Sequence, residues 1–198
     1  AFTCLQNIRR RARIPRNCLG FNNHPPKSRS NTMTETNYIG SVETTNFPIH
    51  RIQEAHDSWR QVYEGLQLIE SYIEQGYGIP LDVSFGGMLG SEWQPRLAEL
   101  PERLRSDLSL HVLPATRACC KHPTASDQLR NFEQSAVTQI TGMMADAEQA
   151  KAVIGRVCTN RPTRRTKLSS LKGAQGLLAS VLMILDDIQA VAEVGMQH

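Results

Sequence analysis

Apolar residues recur at helical spacing in four segments of the chain, and the last of these, residues 168–194, is the most apolar. Its main apolar run, about residues 176–185 with Ser180 as its one polar residue, is about half of the ~20 residues that a membrane span needs. A stripe this wide must be covered by neighbours on several sides, so the pattern predicts a core helix. The stripe consists of Leu171, Ala174, Leu177, Leu178, Val181, Leu182, Ile184, Leu185, Ile188, Val191 and Ala192.

Three earlier segments show the same periodicity. The first predicted helix covers about residues 48–75, with Pro48 in its opening turn and two glycines after its end. A glycine-rich connection follows, in which residues 83–85 have some strand character. Ser91 is the predicted N-cap of the second helix.

Proline residues set the predicted limits of the second helix. Pro101 is expected to kink or split it and Pro114 to end it, which leaves residues 114–124 as a loop. The third and longest helix is predicted from Thr124 or Ser126 to about Cys158, and Pro162 separates it from the terminal helix.

Four amphipathic helices joined by connections of roughly ten to fifteen residues favour an all-α fold, an antiparallel up-down four-helix bundle. We expect a soluble domain over residues 46–198, preceded by a disordered basic arm over residues 1–45. The chain has 198 residues, enough to bury a core without disulfide bonds or metals.

The arm differs from the rest of the chain in charge. Residues 1–34 contain seven Lys or Arg and no Asp or Glu, whereas the remainder has fifteen basic and nineteen acidic residues. Four interpretations stay open: an organelle transit sequence in residues 1–32, a nucleic-acid-binding arm, a disordered leader, or a natural start at Met33.

Five cysteines, an odd and scattered set, do not form the pattern of a disulfide framework. We therefore expect an intracellular, reducing compartment, or an organelle matrix if the transit interpretation holds. Cys119, Cys120 and His122 have the side chains that zinc prefers, but their spacing matches no standard zinc motif. We predict no metal and no cofactor.

The bundle topology predicts one anion-binding site. In an up-down bundle the first and third connections lie at the same end, which would bring a glycine-rich loop close to a cluster of guanidinium groups. Backbone N–H groups at a helix start and guanidinium groups both bind anions. The predicted site consists of Gly86, Gly87, Ser91, Arg161, Arg164, Arg165 and Lys167.

The sequence favours a non-enzymatic function, because the predicted helix seams lack the carboxylate or histidine clusters of bundle catalysts. Our main hypothesis is an interaction or regulatory module that binds another macromolecule, with a protein favoured over a nucleic acid as the partner. One alternative is a phosphate-ligand-binding protein or enzyme that uses the glycine-rich and arginine-rich end. The other is a nucleic-acid-binding or coat-type protein that uses the basic arm. The pattern does not indicate an oligomeric state.

Overall fold

The structure is a computed structural model that describes residues 48–196, apart from the side chain of Met196. Our predictions for the arm over residues 1–45 lie outside the described residues. The elements are α1 (Ile49–Glu74), β1 (Ser84–Phe85), β2 (Met88–Leu89), α2 (Trp93–Asp107), a π-helical turn (Leu108–Val112), α3 (Leu113–Cys120), α4 (Asp127–Ile154), a 3-10 turn (Gly155–Cys158) and α5 (Arg164–Met196).

The predicted all-α helical class is confirmed for the described residues, and α1 begins and ends within a residue of its predicted limits. Ser126 is the cap of α4, where its hydroxyl accepts a hydrogen bond from the N–H of Leu129 at 3.3 Å. The extended stretch near residue 84 is one strand of a short antiparallel hairpin, in which Ser84 pairs with Leu89.

The structure contradicts a split of the second helix at Pro101 and an end of that helix at Pro114. Pro101 lies inside α2 without splitting it, and the chain remains helical past Pro114 to Cys120. A proline lacks an N–H donor, and its ring crowds the carbonyl of the residue four positions earlier. The π-helical turn directly precedes Pro114, and its wider backbone bond joins the Leu113 N–H to the Leu108 carbonyl. The helix therefore accommodates Pro114 instead of ending there.

Neighbouring helices run in opposite directions. Near the end of α1, Glu70 accepts a hydrogen bond from Gln175 of early α5 at 2.8 Å, whereas near its start His56 contacts Asp186 of late α5 at 2.9 Å. The start of α2 meets the 3-10 turn after α4, since the Cys158 thiol donates to the Gln94 carbonyl at 3.5 Å. The first and third connections therefore lie at the same end of the bundle.

The core lies along α5. Three fully buried leucines, Leu171, Leu178 and Leu185, recur every seven residues and belong to the same cluster as Leu66 of α1 and Ile140 of α4. This spacing keeps one side of α5 turned toward its neighbours along its whole length. None of the helices in residues 48–196 is long and apolar enough to cross a membrane.

The hairpin packs directly on α1. A Cβ atom at Gly65 would lie 2.5 Å from the Phe85 carbonyl carbon and 2.7 Å from the Gly86 nitrogen, so any side chain there would overlap the hairpin backbone. The ring of Phe85 is buried and makes an edge-to-face contact with Tyr72, with centroids 5.8 Å apart. Gly65 therefore sets how closely the first connection approaches α1.

Gly65→Ala is expected to lower the free energy of unfolding by about 1–3 kcal/mol, because the new methyl group overpacks the contact with the hairpin. The matched control is Gly142→Ala in α4, where a Cβ meets nothing within 4 Å and should stabilise the helix by about 0.5–1 kcal/mol. Urea denaturation followed by circular dichroism measures both. Equal effects of the two substitutions would contradict the close approach of the hairpin.

Candidate functional site

The glycine half of the predicted anion site lies on the side of α1. Gly86 and Gly87 form the tip of the hairpin with positive φ angles of 58° and 82°, the conformation that a tight hairpin turn requires. A Cβ at Gly86 would be 2.9 Å from the Cα of Val62, so the tip rests on the middle of α1. That position is about 20 Å along α1 from the end of the helix.

Ser91 does not cap α2. The residue before the helix is Glu92, and no side chain bonds to the helix start. The N–H of Ser91 donates to the carbonyl of Leu81 at 3.1 Å, so this backbone group is engaged within the connection.

The basic half of the predicted site surrounds the start of α5. Arg161 lies in the connection before the helix, while Arg164, Arg165 and Lys167 occupy its first turn. Arg164 donates to the carbonyl of Glu74, the last residue of α1. The structure therefore brings these basic residues to the end of α1 but does not bring them together with the glycines.

A basic surface nevertheless remains at this end of the bundle. Residues 149–185 contain no Asp or Glu. We define the basic pole as Arg156, Arg161, Arg164, Arg165, Lys167 and Lys172. Lys172 forms ion pairs with Glu70 and Glu74 at 3.5 and 3.8 Å.

The positive charges of the other members of the basic pole are not paired with acidic side chains of the described residues. Within residues 48–196, the side chains of Arg156, Arg161, Arg165 and Lys167 have no hydrogen-bond or ion-pair partner, whereas Arg164 reaches only a backbone carbonyl. Positive charge in the first turn of a helix opposes its dipole. The first turn of α5 therefore carries an unfavourable concentration of charge.

A second candidate site is a groove between α1 and α2. Its volume is about 450 Å³, and Trp59 lies in its floor. The indole N–H of Trp59 donates to Oδ2 of Asp107 at 2.6 Å, which joins α1 to the residue just before the π-helical turn. The groove is lined by Arg51, Glu54, Ala55, Ser58, Trp59, Val62, Arg103, Ser106, Asp107 and His111.

Sequence reasoning did not find this groove. The apolar spacing of α1 identified Trp59 as a core residue, and it is buried. The partner carboxylate is 48 residues away, in a helix whose register is not visible from spacing alone. A tryptophan N–H that needs a buried acceptor was the only signal.

Sequence reasoning also missed the role of His56. Its imidazole is 5% exposed and lies between Asp186, 2.9 Å from Nε2, and Asp57, 3.4 Å from Nδ1. Arg60 approaches the same ring at 3.4 Å. On α1, His50 and Glu54 are four residues apart and share a face, whereas His56 lies on a different face. Its main partner comes from α5, so the contact joins these two helices.

The cysteine pair expected in a loop lies instead in α3, with both side chains buried. Burial, with a smaller contribution from the neighbouring Cys120, raises the pKa of Cys119 to about 11. Burial also raises the pKa of Cys120, and Glu133 adds to the effect. His122 Nδ1 lies 2.8 Å from the hydroxyl of Thr124.

These thiols are therefore protonated at neutral pH, whereas a metal ligand or a nucleophile is a thiolate. Across residues 48–196, no three or more His, Cys, Asp and Glu side chains come together as a metal site.

Comparison with known proteins found no match for this chain among protein-family models, curated proteins or solved structures. The geometry of the described residues therefore carries the functional argument.

Trp59→Phe is expected to lower the free energy of unfolding by about 1–2 kcal/mol more than Trp93→Phe, as measured by urea denaturation. Both rings are 5% exposed, but only the Trp59 N–H bonds to a carboxylate within the described residues. Equal effects of the two substitutions would mean that the bond to Asp107 contributes no stability.

Cys119 is expected to react with iodoacetamide at pH 8 at least about tenfold more slowly than the exposed Cys158, as measured by peptide mapping. Because the folded pKa of Cys119 is raised from 9.0 to about 11, its contribution to stability is present below pH 9 and is lost as the pH rises toward about 11. Equal alkylation of the two cysteines in the folded protein would contradict the burial of Cys119.

Proposed function

We propose that this protein is a non-enzymatic interaction module that binds an acidic, amphipathic segment of another protein at its basic pole. The observation that carries the proposal is the absence of acidic residues from positions 149–185, together with several cations that lack partners within the described residues. A surface that accumulates one sign of charge favours a partner of the opposite sign.

The position of the charge supports a binding role. Arg164, Arg165 and Lys167 lie in the first turn of α5, where the helix dipole already presents positive partial charge. Thr163 caps this turn, its hydroxyl accepting from the Thr166 N–H at 3.1 Å, so the helix start is stabilised by a neutral side chain and the cations make no contribution to its capping. Carboxylates from a partner would offset both the side-chain charges and the dipole.

The shape of the surface favours a protein over a nucleic acid. A shallow depression on α5 is lined by Leu168 and Ser169 between Arg164, Arg165 and Lys172. Leu168 and the aliphatic stems of the flanking cations complement a helix that carries leucines and glutamates on one face. Single-stranded nucleic acids are usually held by aromatic side chains that stack on bases, and no aromatic residue lines this depression.

The interior supports a non-enzymatic role. The buried polar residues among the described ones are His56, Thr116 and Ser170. The hydroxyls of Thr116 and Ser170 donate to backbone carbonyls at 2.9 and 3.0 Å, and His56 pairs with Asp186. Thr116 is engaged within its own helix, and Ser170 and His56 join neighbouring helices, whereas a bundle catalyst directs carboxylates or histidines toward a substrate.

A phosphate ligand at the same pole is the second candidate. Arg164 and Arg165 head α5, and the N-terminus of a helix with nearby guanidinium groups binds phosphate. The same experiment distinguishes the two candidates.

The test is a binding titration with a fluorescein-labelled helical peptide of about 20 residues that has Leu and Glu on one face. Arg161→Gln combined with Arg165→Gln is expected to weaken binding about tenfold, since each exposed ion pair contributes up to ~1 kcal/mol. The matched control is Arg117→Gln combined with Arg130→Gln, which removes two exposed charges from the other end of the bundle and should leave the affinity unchanged.

Three outcomes would contradict the proposal. One is equal binding of the double variant and the wild-type protein. Another is tighter binding of an oligothymidylate of the same length, which would favour the nucleic-acid alternative. The third is complete displacement of the peptide by low millimolar inorganic phosphate but not by sulfate at equal ionic strength, which would favour a phosphate ligand.

A further inference from the structure

The groove between α1 and α2 exists because other elements hold these two helices apart. At one end the hairpin fills the space, since β1 packs on α1, β2 contacts α2, and Phe85 and Met88 are buried. At the other end the π-helical turn and α3 contact α1. Small side chains line the middle, among them Ala55, Ser58 and Ser106. Space therefore remains between the two helices where they do not pack directly.

The floor of the groove is apolar and held in place by a hydrogen bond. The Trp59 ring is 5% exposed, and its hydrogen bond to Asp107 holds the indole in one orientation. Ala55 and Val62 lie one turn to either side of it on α1. An aromatic ring can contact Ala55, Val62 and the small exposed part of Trp59 without displacing a polar partner.

The acidic side chains of the groove already have partners, whereas two of its basic side chains have none within the described residues. Its two carboxylates are engaged: Asp107 accepts from Trp59, and Glu54 pairs with His50 at 3.3 Å and with Arg51 at 3.8 Å. On the opposite wall, Arg103 and His111 have no hydrogen-bond or ion-pair partner within residues 48–196. The groove therefore offers donors that are not already bonded, above an apolar floor.

We propose that this groove binds a small aromatic carboxylate, with the ring against Ala55, Val62 and the small exposed part of Trp59, and with the carboxylate on Arg103. A volume of about 450 Å³ is within the range of small-molecule sites, which combine apolar walls with a few placed polar groups. Guanidinium suits the carboxylate because it donates two parallel hydrogen bonds. The basic pole takes no part in this site, so the proposal stands or falls independently of the proposed function.

The test uses 2-naphthoate as the probe and the indole N–H resonance of Trp59 as the readout in the full-length protein. The resonance is assigned by its loss in Trp59→Phe. We expect a saturable shift, at least about fivefold weaker binding in Arg103→Gln, and loss of binding in Ser106→Leu, which fills the groove. The control Arg117→Gln lies on α3 outside the groove and should bind like the wild-type protein.

The neutral isostere 2-naphthalenemethanol tests the charge complementarity and should bind about tenfold more weakly. Circular dichroism melting curves of Arg103→Gln and Arg117→Gln establish that both remain folded. The proposal is overturned if naphthoate produces no saturable shift up to about 10 mM, if the two arginine variants bind it equally, or if the alcohol binds as tightly as the acid.

Discussion

The burial of α5 between α1 and α4 is the constraint on which the rest of the structure depends. Leu171, Leu178 and Leu185 are fully buried and extend the same side of the helix over two heptads. Polar contacts fix the direction on each side: His56 with Asp186 toward α1, and the Ser170 hydroxyl with a carbonyl of α4. Because α5 runs antiparallel to both neighbours, the end of α1, the end of α4 and the start of α5 lie at the same end of the bundle.

The bundle carries a basic pole and a groove, and the two lie at separate places. The pole where α4 ends and α5 begins collects cations, because the chain supplies no acid there over residues 149–185. The groove arises instead from the first connection, where Gly65 lets the hairpin backbone touch α1 and the hairpin contacts α2 as well. Positive charge is thus concentrated where α4 ends and α5 begins, because of their sequence. The groove forms between α1 and α2, because of the way the hairpin packs against both.

Periodicity predicted the helices because burial selects apolar residues three and four apart, and the seam of α1 from Ile52 to Ile69 is buried as expected. The proline positions did not predict where the second helix ends, since a continuing helix accommodates Pro101 and a π-helical turn accommodates Pro114. The basic residues of the predicted anion site lie near the end of α1, whereas its glycines lie against the middle of that helix. A hairpin folds the first connection back along α1, and spacing alone carries no information on such long-range contacts.

The measurement that tests the bundle arrangement most directly is the distance between spin labels on α5 and α1. One label replaces Arg165, and the other replaces either Gln75 just after α1 or Arg51 near its start, positions that are about 35 Å apart along the helix. The structure predicts a short distance to residue 75 and a distance longer by at least about 15 Å to residue 51. Equal distances, or a shorter distance to residue 51, would contradict the antiparallel packing of α5 on α1.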